Sequence, residues 1–586
     1  NLFSSCTKLR QVTIPSSIKI IGKCAFYDCS SLIQVTIPSS VTSIGVCTFG
    51  KCISLEEITI PSSVTSIGEF LFKQCTSLKQ VTLSSSIKTI GEGAFLECSS
   101  LESIKIPSSI IKIKEGAFNK CISLKSIEIP DSVNLISEDC FRDCSLFEEI
   151  SLPTSIKEIS DGTFHGCTSL KKNVIPSSVK TIEEYAFYGC SSLKQFVIPS
   201  SVKTIKKSLF SQCSSLKSVK LPFKLDDIEQ EAFIGCKSLK SIEIPLSISY
   251  LRDQIFQGCS SLSEITIPEY VQSIGKRCFQ DCSSLKLITI PSKVTLIDNY
   301  AFQNCSELTE VIITSSLKTI GSYCFEGCTN LTKISITSSI NIINDFTFSQ
   351  CKSLTDISIP PSVRILGDFV FKDCISLKTI DIPSSVTNIQ KNCFKGCLSL
   401  KKIVIPTFVT KIAEYLFKEC KSLESIEIPS KVTIIGEGAF NDCTSLTQIL
   451  IPPSVNTISM LAFYGCSSLS KITLPPIAKI NDYTFMGCKS LKKISIPSSV
   501  TLIGKYAFAE CSSLTDVIIP PSVATICECA FKGCSSLIEM KISTSVKTIK
   551  SNAFKDCQSL SQIFVPTLLD ITNIGIGPNT KILKYE

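Results

Sequence analysis

The sequence is poor in the residues from which catalytic and metal sites are most often built. Its 586 residues include no tryptophan, three methionines and a single histidine, His165. One histidine excludes a multi-histidine metal site, and any serine or cysteine catalytic triad would have to use it. No nucleophile elbow or oxyanion motif accompanies His165, and no glycine-rich phosphate loop occurs. We therefore expect no enzyme activity, no cofactor and no bound metal.

Long apolar runs and clustered charge are missing as well. No run of about 18 apolar residues occurs, so no segment of this chain is expected to span a membrane. The 59 basic and 51 acidic residues give a net charge of +8 and are scattered along the whole length. Only five of the basic residues are arginine. Lysine-rich, unclustered charge is typical of a solvated surface, so nucleic acid is not an expected partner.

A repeat of 23 residues fills almost all of the chain. A cysteine recurs every 23 residues from Cys6 to Cys466; after one step of 22 to Cys488, the spacing of 23 resumes as far as Cys557. We call these residues the ladder cysteines and the 25 repeats the coils. Repeats of this length indicate a stacked solenoid rather than separate globular domains. No signal peptide is present, and Asn1 already lies inside a coil, so we expect the natural chain to begin upstream.

Each coil carries apolar residues at fixed distances from its ladder cysteine. Phenylalanine stands three residues before it, leucine three residues after it (Phe147 is the one substitute), and aliphatic residues six, eight, twelve and fifteen after it. The stretch L-x-x-I-x-I predicts a short half-buried strand, which the following proline ends. A Ser-Ser turn and V-x-x-I predict a second extended segment on the opposite wall. The stretch A-F-x-x-C predicts a single helical or 3₁₀ turn.

The 33 cysteines have two readings. In the ladder they occupy one apolar row, where buried free thiols pack as small hydrophobic groups. Neighbouring ladder side chains point in parallel, which suits a disulfide poorly. Cys24 and Cys47 share a position outside the ladder in adjacent coils, and a cross-link between them stays open. Cys527 and Cys529 form a C-x-C pair without further ligands, too few for zinc.

The repeat resembles a known family. The residues Ile-Pro-Ser-Ser-Val-Thr-Ser-Ile-Gly-Glu at 60–69 and Phe-Lys-Gln-Cys-Thr-Ser-Leu at 72–78 closely resemble the BspA-like leucine-rich repeat, over residues 1–565. The resemblance implies an α/β-type repeat solenoid, an elongated horseshoe or superhelix, with a parallel sheet of short strands on one face and short extended segments and helical turns on the other. Members of this family are surface proteins of oral bacteria and mucosal protists, and this serine-rich repeat is similar to the protist versions. The resemblance implies adhesion to host proteins or cells.

The outward side of the predicted strands is where we expect a partner to bind. Thr13, Thr36, Thr59 and Thr82 form a column there, which strand propensity alone also explains. Lysines gather in four later coils, as either a solvated charge run or a docking patch for an acidic partner. These residues are Lys171, Lys172, Lys194, Lys217, Lys220 and Lys240. Asn173 stands among them at an otherwise apolar position and predicts a bulge or a locally polar core. Six apolar residues share the face: Val174, Val197, Ile312, Val404, Leu450 and Ile518.

The sequence thus predicts one leucine-rich-repeat solenoid over residues 1–565 and a C-terminal cap or irregular end over residues 566–586. The preferred function is a non-catalytic adhesin at the cell surface, or secreted, that binds host extracellular matrix or cell-surface proteins through many weak contacts. The alternative is a cytoplasmic scaffold for protein–protein interactions, because abundant reduced thiols favour an intracellular compartment. The oligomeric state is left open.

Overall fold

The computed structural model describes residues 1–314, 317–336 and 340–586, with Asn173 described by its backbone alone. The chain folds as two compact units, Asn1–Leu285 and Lys286–Glu586. Each unit is a stack of the coils that the sequence predicts. The prediction of one solenoid over residues 1–565 remains a prediction.

Most coils carry a strand on one wall, beginning five residues after the ladder cysteine, as predicted. In the first unit these strands are β1 Gln11–Thr13, β3 Gln34–Thr36, β5 Glu57–Thr59, β7 Gln80–Thr82, β11 Glu149–Ser151, β13 Lys172–Val174, β15 Gln195–Val197 and β17 Ser218–Lys220. In the second unit they are β21 Leu287–Ile290, β23 Glu310–Ile313, β25 Lys333–Ser335, β27 Asp356–Ser358, β29 Thr379–Ile380, β31 Lys402–Ile403, β33 Ser425–Glu427, β35 Gln448–Leu450, β37 Lys471–Thr473, β39 Lys493–Ser495, β41 Asp516–Ile518, β43 Glu539–Lys541 and β45 Gln562–Pro566. One more strand, β46 Lys581–Tyr585, follows the last coil.

The V-x-x-I segments form two-residue strands on the opposite wall. In the first unit these are β2 Ile20–Ile21, β4 Ser43–Ile44, β6 Ser66–Ile67, β8 Thr89–Ile90, β9 Lys112–Ile113, β10 Leu135–Ile136, β12 Glu158–Ile159, β14 Thr181–Ile182, β16 Thr204–Ile205, β18 Asp227–Ile228, β19 Tyr250–Leu251 and β20 Ser273–Ile274. In the second unit they are β22 Leu296–Ile297, β24 Thr319–Ile320, β26 Ile342–Ile343, β28 Ile365–Leu366, β30 Asn388–Ile389, β32 Lys411–Ile412, β34 Ile434–Ile435, β36 Thr457–Ile458, β38 Lys479–Ile480, β40 Leu502–Ile503, β42 Thr525–Ile526 and β44 Thr548–Ile549.

Strands on each wall pair in parallel with the equivalent strand of a neighbouring coil. Val12 of β1 lies opposite Val35 of β3, so the register is one whole repeat. In strands such as β3 the middle residue is buried and its two neighbours are exposed. This alternation is the one that the L-x-x-I-x-I pattern predicts. Stacking in register therefore places every apolar row of the sequence inside.

The predicted helical or 3₁₀ turn is wrong, because the described residues contain no helix. The residues five and one before each ladder cysteine have left-handed backbone, as in Cys24 (φ 56°) and Asp28 (φ 60°), so only three residues between them remain for a right-handed turn. Their N–H groups donate along the stack instead, from Cys24 to the carbonyl of Val46 at 3.0 Å and from Asp28 to that of Gly50 at 2.8 Å. The fold class is therefore an all-β solenoid rather than an α/β one.

The interior is a set of identical rows, of which the phenylalanine row is the largest. Successive rings stack nearly parallel in each unit, as in Phe95 and Phe118, whose centroids are 5.2 Å apart with planes 6° apart. Phe417 and Phe440 repeat this arrangement in the second unit at 5.6 Å. Offset stacking of this kind adds to the hydrophobic gain from burying the rings. The apolar side chains of each coil are therefore covered by those of the neighbouring coils.

The ladder thiols do more than fill space, which the sequence did not predict. Nearly all of them donate a hydrogen bond to the phenylalanine carbonyl of the preceding coil, as Cys52 Sγ does to Phe26 at 3.2 Å. The same carbonyl also accepts the N–H of Cys29 at 3.2 Å. The bond recurs in both units, for example from Cys213 at 3.1 Å and from Cys420 at 3.2 Å. Both lone-pair sites of a buried carbonyl are thereby used.

The Ser-Ser turn contributes a second set of bonds between coils. The second serine of the turn donates from its side chain to a backbone carbonyl of the preceding coil, as Ser40 does to Ile18 and Ser109 to Ile87, at 2.8 and 2.7 Å. The sequence predicted the turn but not this bond. A hydroxyl on a short side chain suits it, because little conformational entropy is lost.

Residues 566–586, the predicted cap, contain β46, which pairs in parallel with β45. Gln562 lies opposite Lys581 and Val565 opposite Lys584, a spacing shorter than one repeat. The Phe and Cys rows do not continue into this segment, although Ile574 is buried. The segment therefore prolongs the sheet with a different sequence.

Candidate binding surface

The strand face consists of the side chains four, five and seven residues after each ladder cysteine. These residues are exposed in most coils because the residues six and eight after the cysteine take the buried positions. The face is shallow: two depressions lie on it in the first unit, one lined by Thr36, Thr59 and Thr82, the other by Lys172 and Val174 together with residues of the two preceding coils. Such a surface suits an extended or flat partner better than a small molecule.

All six predicted lysines are exposed, but they do not behave alike. Lys171 Nζ lies 3.1 Å from Glu148 Oε2 of the preceding coil. Earlier coils show the same pairing four residues after the cysteine, between Lys79 and Glu56 at 3.5 Å and between Lys125 and Glu102 at 3.2 Å. Lysine and glutamate alternate there from coil to coil, so the column neutralises itself.

The alternation stops after Lys171, and three lysines follow one another in the column. Lys194, Lys217 and Lys240 have no ion-pair partner within the part of the chain that the structure describes. Adjacent coils are about 4.8 Å apart, so Lys194 and Lys217 each have a lysine in the same column of both neighbouring coils, and Lys240 has one on the side of Lys217. Lys172 and Lys220 lie on the same face, also exposed. This segment therefore carries positive charge that the protein itself does not compensate.

Charge on this side of the first unit changes sign along the stack. The segments 171–178, 194–201, 217–224 and 240–247 carry seven lysines and one carboxylate, Glu243. The five coils before them, over residues 56–63, 79–86, 102–109, 125–132 and 148–155, carry seven carboxylates and three lysines. An acidic section thus precedes a basic one, although the chain as a whole looks evenly charged.

The predicted apolar residues of the strand face are exposed. Val174 and Val197 lie in neighbouring coils with exposed fractions of 63% and 64%. The other four, in the second unit, are exposed as well: Ile312, Val404, Leu450 and Ile518. The strand β13 pairs residue for residue with β11, so the register around Asn173 contains no inserted residue, contrary to the predicted bulge. Whether the core is locally polar there lies outside the described atoms.

Two further apolar residues were missed by the sequence analysis. Phe223 and Leu246 stand ten residues after their ladder cysteines, where Ser177 and Ser200 stand in the two preceding coils. Their exposed fractions are 90% and 68%, unusually large for such side chains. The signal was present in the sequence, as the replacement of a serine of the turn by a large apolar residue in two successive coils.

Most of the cysteines are buried as free thiols. All 33 are free thiols, including Cys24 and Cys47, so the structure contains no cross-link between these two. Burial raises the pKa of Cys213 and Cys259 to about 12, and it also raises the pKa of Cys47. Thiols held in the protonated form react slowly with oxidants and bind metals poorly.

His165 packs against neighbouring side chains of the coils. Its ring stacks on that of Tyr188, with centroids 4.6 Å apart, and its Nδ1 lies 3.8 Å from Asp143 Oδ1. Partial burial lowers its pKa, with Arg142 adding to the effect. Among the described residues, no group of three or more histidine, cysteine or carboxylate side chains is placed to hold a metal ion. The described residues also include no helix long and apolar enough to cross a membrane.

Short parallel strands, one per coil, with leucine at a fixed interior position define a leucine-rich-repeat protein, an architecture of protein-binding scaffolds. The model of the BspA type leucine rich repeat region matches this chain in six copies, over residues 1–123, 88–216, 180–309, 272–401, 387–501 and 478–577. The chain belongs to this BspA-type family.

Solved structures include similar proteins, although no curated protein sequence matches the chain. A leucine-rich repeat protein from Bacteroides ovatus is 32% identical, with a TM-score of 0.51; the match covers 56% of this chain and 87% of that one. The leucine-rich repeat protein of T. pallidum is 30% identical over 31% of this chain and 77% of its own, with a TM-score of 0.24. The first likeness agrees with the family assignment.

Proposed function

We propose that this protein is a non-catalytic adhesin, exposed at the cell surface or secreted, that attaches to host extracellular or cell-surface proteins through its strand face. The observation that carries the proposal is the face itself. It presents uncompensated lysines beside exposed valines in consecutive coils, whereas the interior is filled by apolar rows. Repetition along the stack lets many weak contacts act together.

Membership of the BspA-type family supports the surface role, because such proteins are often associated with the surface. Reduced thiols favour the alternative, a scaffold inside the cell, since oxidising compartments promote disulfides. The free thiols do not, however, exclude the cell surface. Buried thiols with raised pKa values resist oxidation, so free cysteines in this fold are compatible with an extracellular location.

Labelling of intact cells separates the two locations. Cells that express the protein are treated with a membrane-impermeant biotin reagent, which reacts with exposed lysines, and the labelled fraction is compared with that in lysed cells. An adhesin is labelled on intact cells or recovered from the medium. Labelling only after lysis contradicts the surface role and leaves the intracellular scaffold.

Attachment is tested with the purified chain on host cells and on immobilised matrix proteins. Reversing Lys194, Lys217 and Lys220 to glutamate is expected to weaken attachment and its salt dependence. Reversing Lys378 and Lys492, which are exposed in the same column of the second unit, is the matched control. Equal loss in both variants would contradict a role for this segment, since only general charge would then matter.

A further inference from the structure

The basic segment of the first unit borders two exposed apolar side chains. On one side lies the column of Lys194, Lys217 and Lys240, without ion-pair partners in the described part of the chain. Across the strand, ten residues after their ladder cysteines, lie Phe223 and Leu246. Both rows belong to consecutive coils of a single unit. In earlier coils the residues ten after the cysteine, Asp131 and Thr154, line the same depression as Lys172 of the strand face, so the two positions share one side. The two features are therefore available to the same partner.

Neither feature is accounted for by the fold. Ser177 and Ser200 show that the turn accepts a small polar residue at the position of Phe223 and Leu246. The phenyl ring of Phe223 is 90% exposed, so it contributes almost nothing to the core of the described structure. The lysine column similarly lacks the alternating glutamates that neutralise it in earlier coils. A large exposed ring and uncompensated cations both cost solubility or stability unless a ligand uses them.

We propose that this segment is a bipartite site for an extended acidic peptide segment that carries a large apolar side chain. Its carboxylates face Lys194, Lys217 and Lys240, with Lys220 and Lys224 nearer the turn, while its apolar residue packs on Phe223 and Leu246. Charge complementarity identifies the partner: over residues 194–201, 217–224 and 240–247, five lysines against one carboxylate favour acidic over basic or neutral segments. The apolar pair provides the desolvated anchor that a purely electrostatic contact lacks.

The proposal rests on the proposed binding function, because it names the ligand chemistry of the same face. It also commits to the position of the site. Glu148 and Glu149 border it on one side and Glu243 lies within its last coil, so an acidic ligand is confined to the coils between them. Lys171 belongs to the border rather than to the site, since Glu148 already pairs with it.

The test uses two fluorescent peptides and the full chain. One peptide has six glutamates around a central leucine, and the other has serine in place of the leucine. Both are expected to bind with an affinity that falls as salt is raised, and the leucine peptide is expected to bind about tenfold more tightly, since one leucine is buried.

Two variants separate the two parts of the site. Replacing Lys194, Lys217 and Lys240 by glutamate is expected to weaken both peptides by about tenfold or more. Replacing Phe223 and Leu246 by serine, the residue of neighbouring coils, is expected to preserve folding and to make the two peptides bind alike. Lys378→Glu with Lys492→Glu, and Phe408→Ser, whose ring Lys431 Nζ covers at 4.2 Å, are matched controls without effect.

Equal affinity of the wild-type chain for the two peptides would overturn the proposal, as would a leucine preference that survives removal of Phe223 and Leu246. Sedimentation of the chain alone excludes another occupant: a dimer that the serine variant abolishes would assign the patch to a second copy and overturn the peptide site. Peptide selectivity without attachment to cells would refute the adhesin function and leave the site standing. Attachment to cells without peptide selectivity would refute the peptide site and leave the adhesin function standing.

Discussion

At the scale of single residues, the ladder cysteine shows why a repeated sequence favours one residue type. Valine or alanine would fill the same buried row, but neither could donate to the phenylalanine carbonyl of the preceding coil, as Cys420 does to Phe394. The sequence predicted the burial of these residues from their spacing. It could not predict the bond, because its acceptor is a backbone atom whose position depends on how two coils stack.

Because so many thiols are buried, the stability of the fold is expected to fall at alkaline pH. The pKa of Cys213, Cys259 and Cys511 rises from 9.0 to about 12 on folding, because burial disfavours the thiolate. The stabilisation is therefore complete below pH 9 and is lost as the pH rises towards 12, where the unfolded chain alone is deprotonated. Each such thiol is expected to reduce the free energy of unfolding by about 1.4 kcal/mol per pH unit in this range.

Urea unfolding at about pH 8 and about pH 10, followed by circular dichroism, measures this dependence. Replacing Cys420 and Cys443 by alanine lowers stability at neutral pH through lost packing, yet should make the decline with pH shallower by about 3 kcal/mol per unit. Identical slopes in the variant and the parent chain would show that groups other than the ladder thiols control the alkaline response.

At the scale of the element, the two strand walls were predicted correctly and the turn before the cysteine was not. Period-two apolar patterning and the proline after Ile60 predict the strand and its end. The A-F-x-x-C stretch has the length and residue types of a helical turn, which is why a right-handed turn was predicted there. Glycine stands at these left-handed positions in many coils, as at Gly166 and Gly189, and was a signal in the sequence that the helical prediction overlooked. In other coils glutamine, lysine or aspartate adopts the same backbone, as at Gln350 (φ 60°).

Gln350 therefore offers a test of strain in this turn. Its left-handed backbone costs an ordinary residue about 1–2 kcal/mol. Gln350→Gly relieves this strain, but glycine loses more chain entropy on folding, so the free energy of unfolding is expected to rise by only about 0.5–1 kcal/mol. Gln350→Val is expected to lower it by about 1–2 kcal/mol. The midpoint of chemical unfolding measures both changes.

Lys395 provides the control for Gln350. It lies two residues before its ladder cysteine and is not among the left-handed residues. Lys395→Gly is expected to lower the free energy of unfolding by up to about 1 kcal/mol, because glycine there adds flexibility and relieves no strain. A glycine effect of the same sign at both positions would argue against strain at Gln350.

At the scale of the whole molecule, the repeat number and the register followed from the spacing of the cysteines, while the binding face did so only in part. All six predicted lysines are exposed, and the pairing of Lys171 with Glu148 was itself readable from two residues one repeat apart. Phe223 stands in the turn, outside the apolar rows that repeat from coil to coil, so the repeat pattern did not predict its role. The sequence describes what the coils share more readily than the places where single coils differ.

Contacts between equivalent positions of neighbouring coils imply that whole coils are interchangeable units of the second compact unit. Removing residues 421–443 joins Cys420 to Thr444 and restores the 23-residue spacing on both sides of the junction. Each row then loses one member, and every remaining phenylalanine, leucine and thiol finds its usual partner. The shortened chain is expected to keep a β-type circular dichroism spectrum and cooperative unfolding, with only a small shift in midpoint.

Removing residues 433–443, about half a coil, is the matched deletion. It brings Val432 next to Thr444 and eliminates one phenylalanine, one ladder cysteine and β34 but leaves β33 in place, so the coil can no longer close. Although this deletion is the smaller of the two, it is expected to cause aggregation or loss of cooperative unfolding. If the half-coil deletion were tolerated as well as the full one, stacking in register would not be what holds the coils together, and the surface built from that register would lose its foundation.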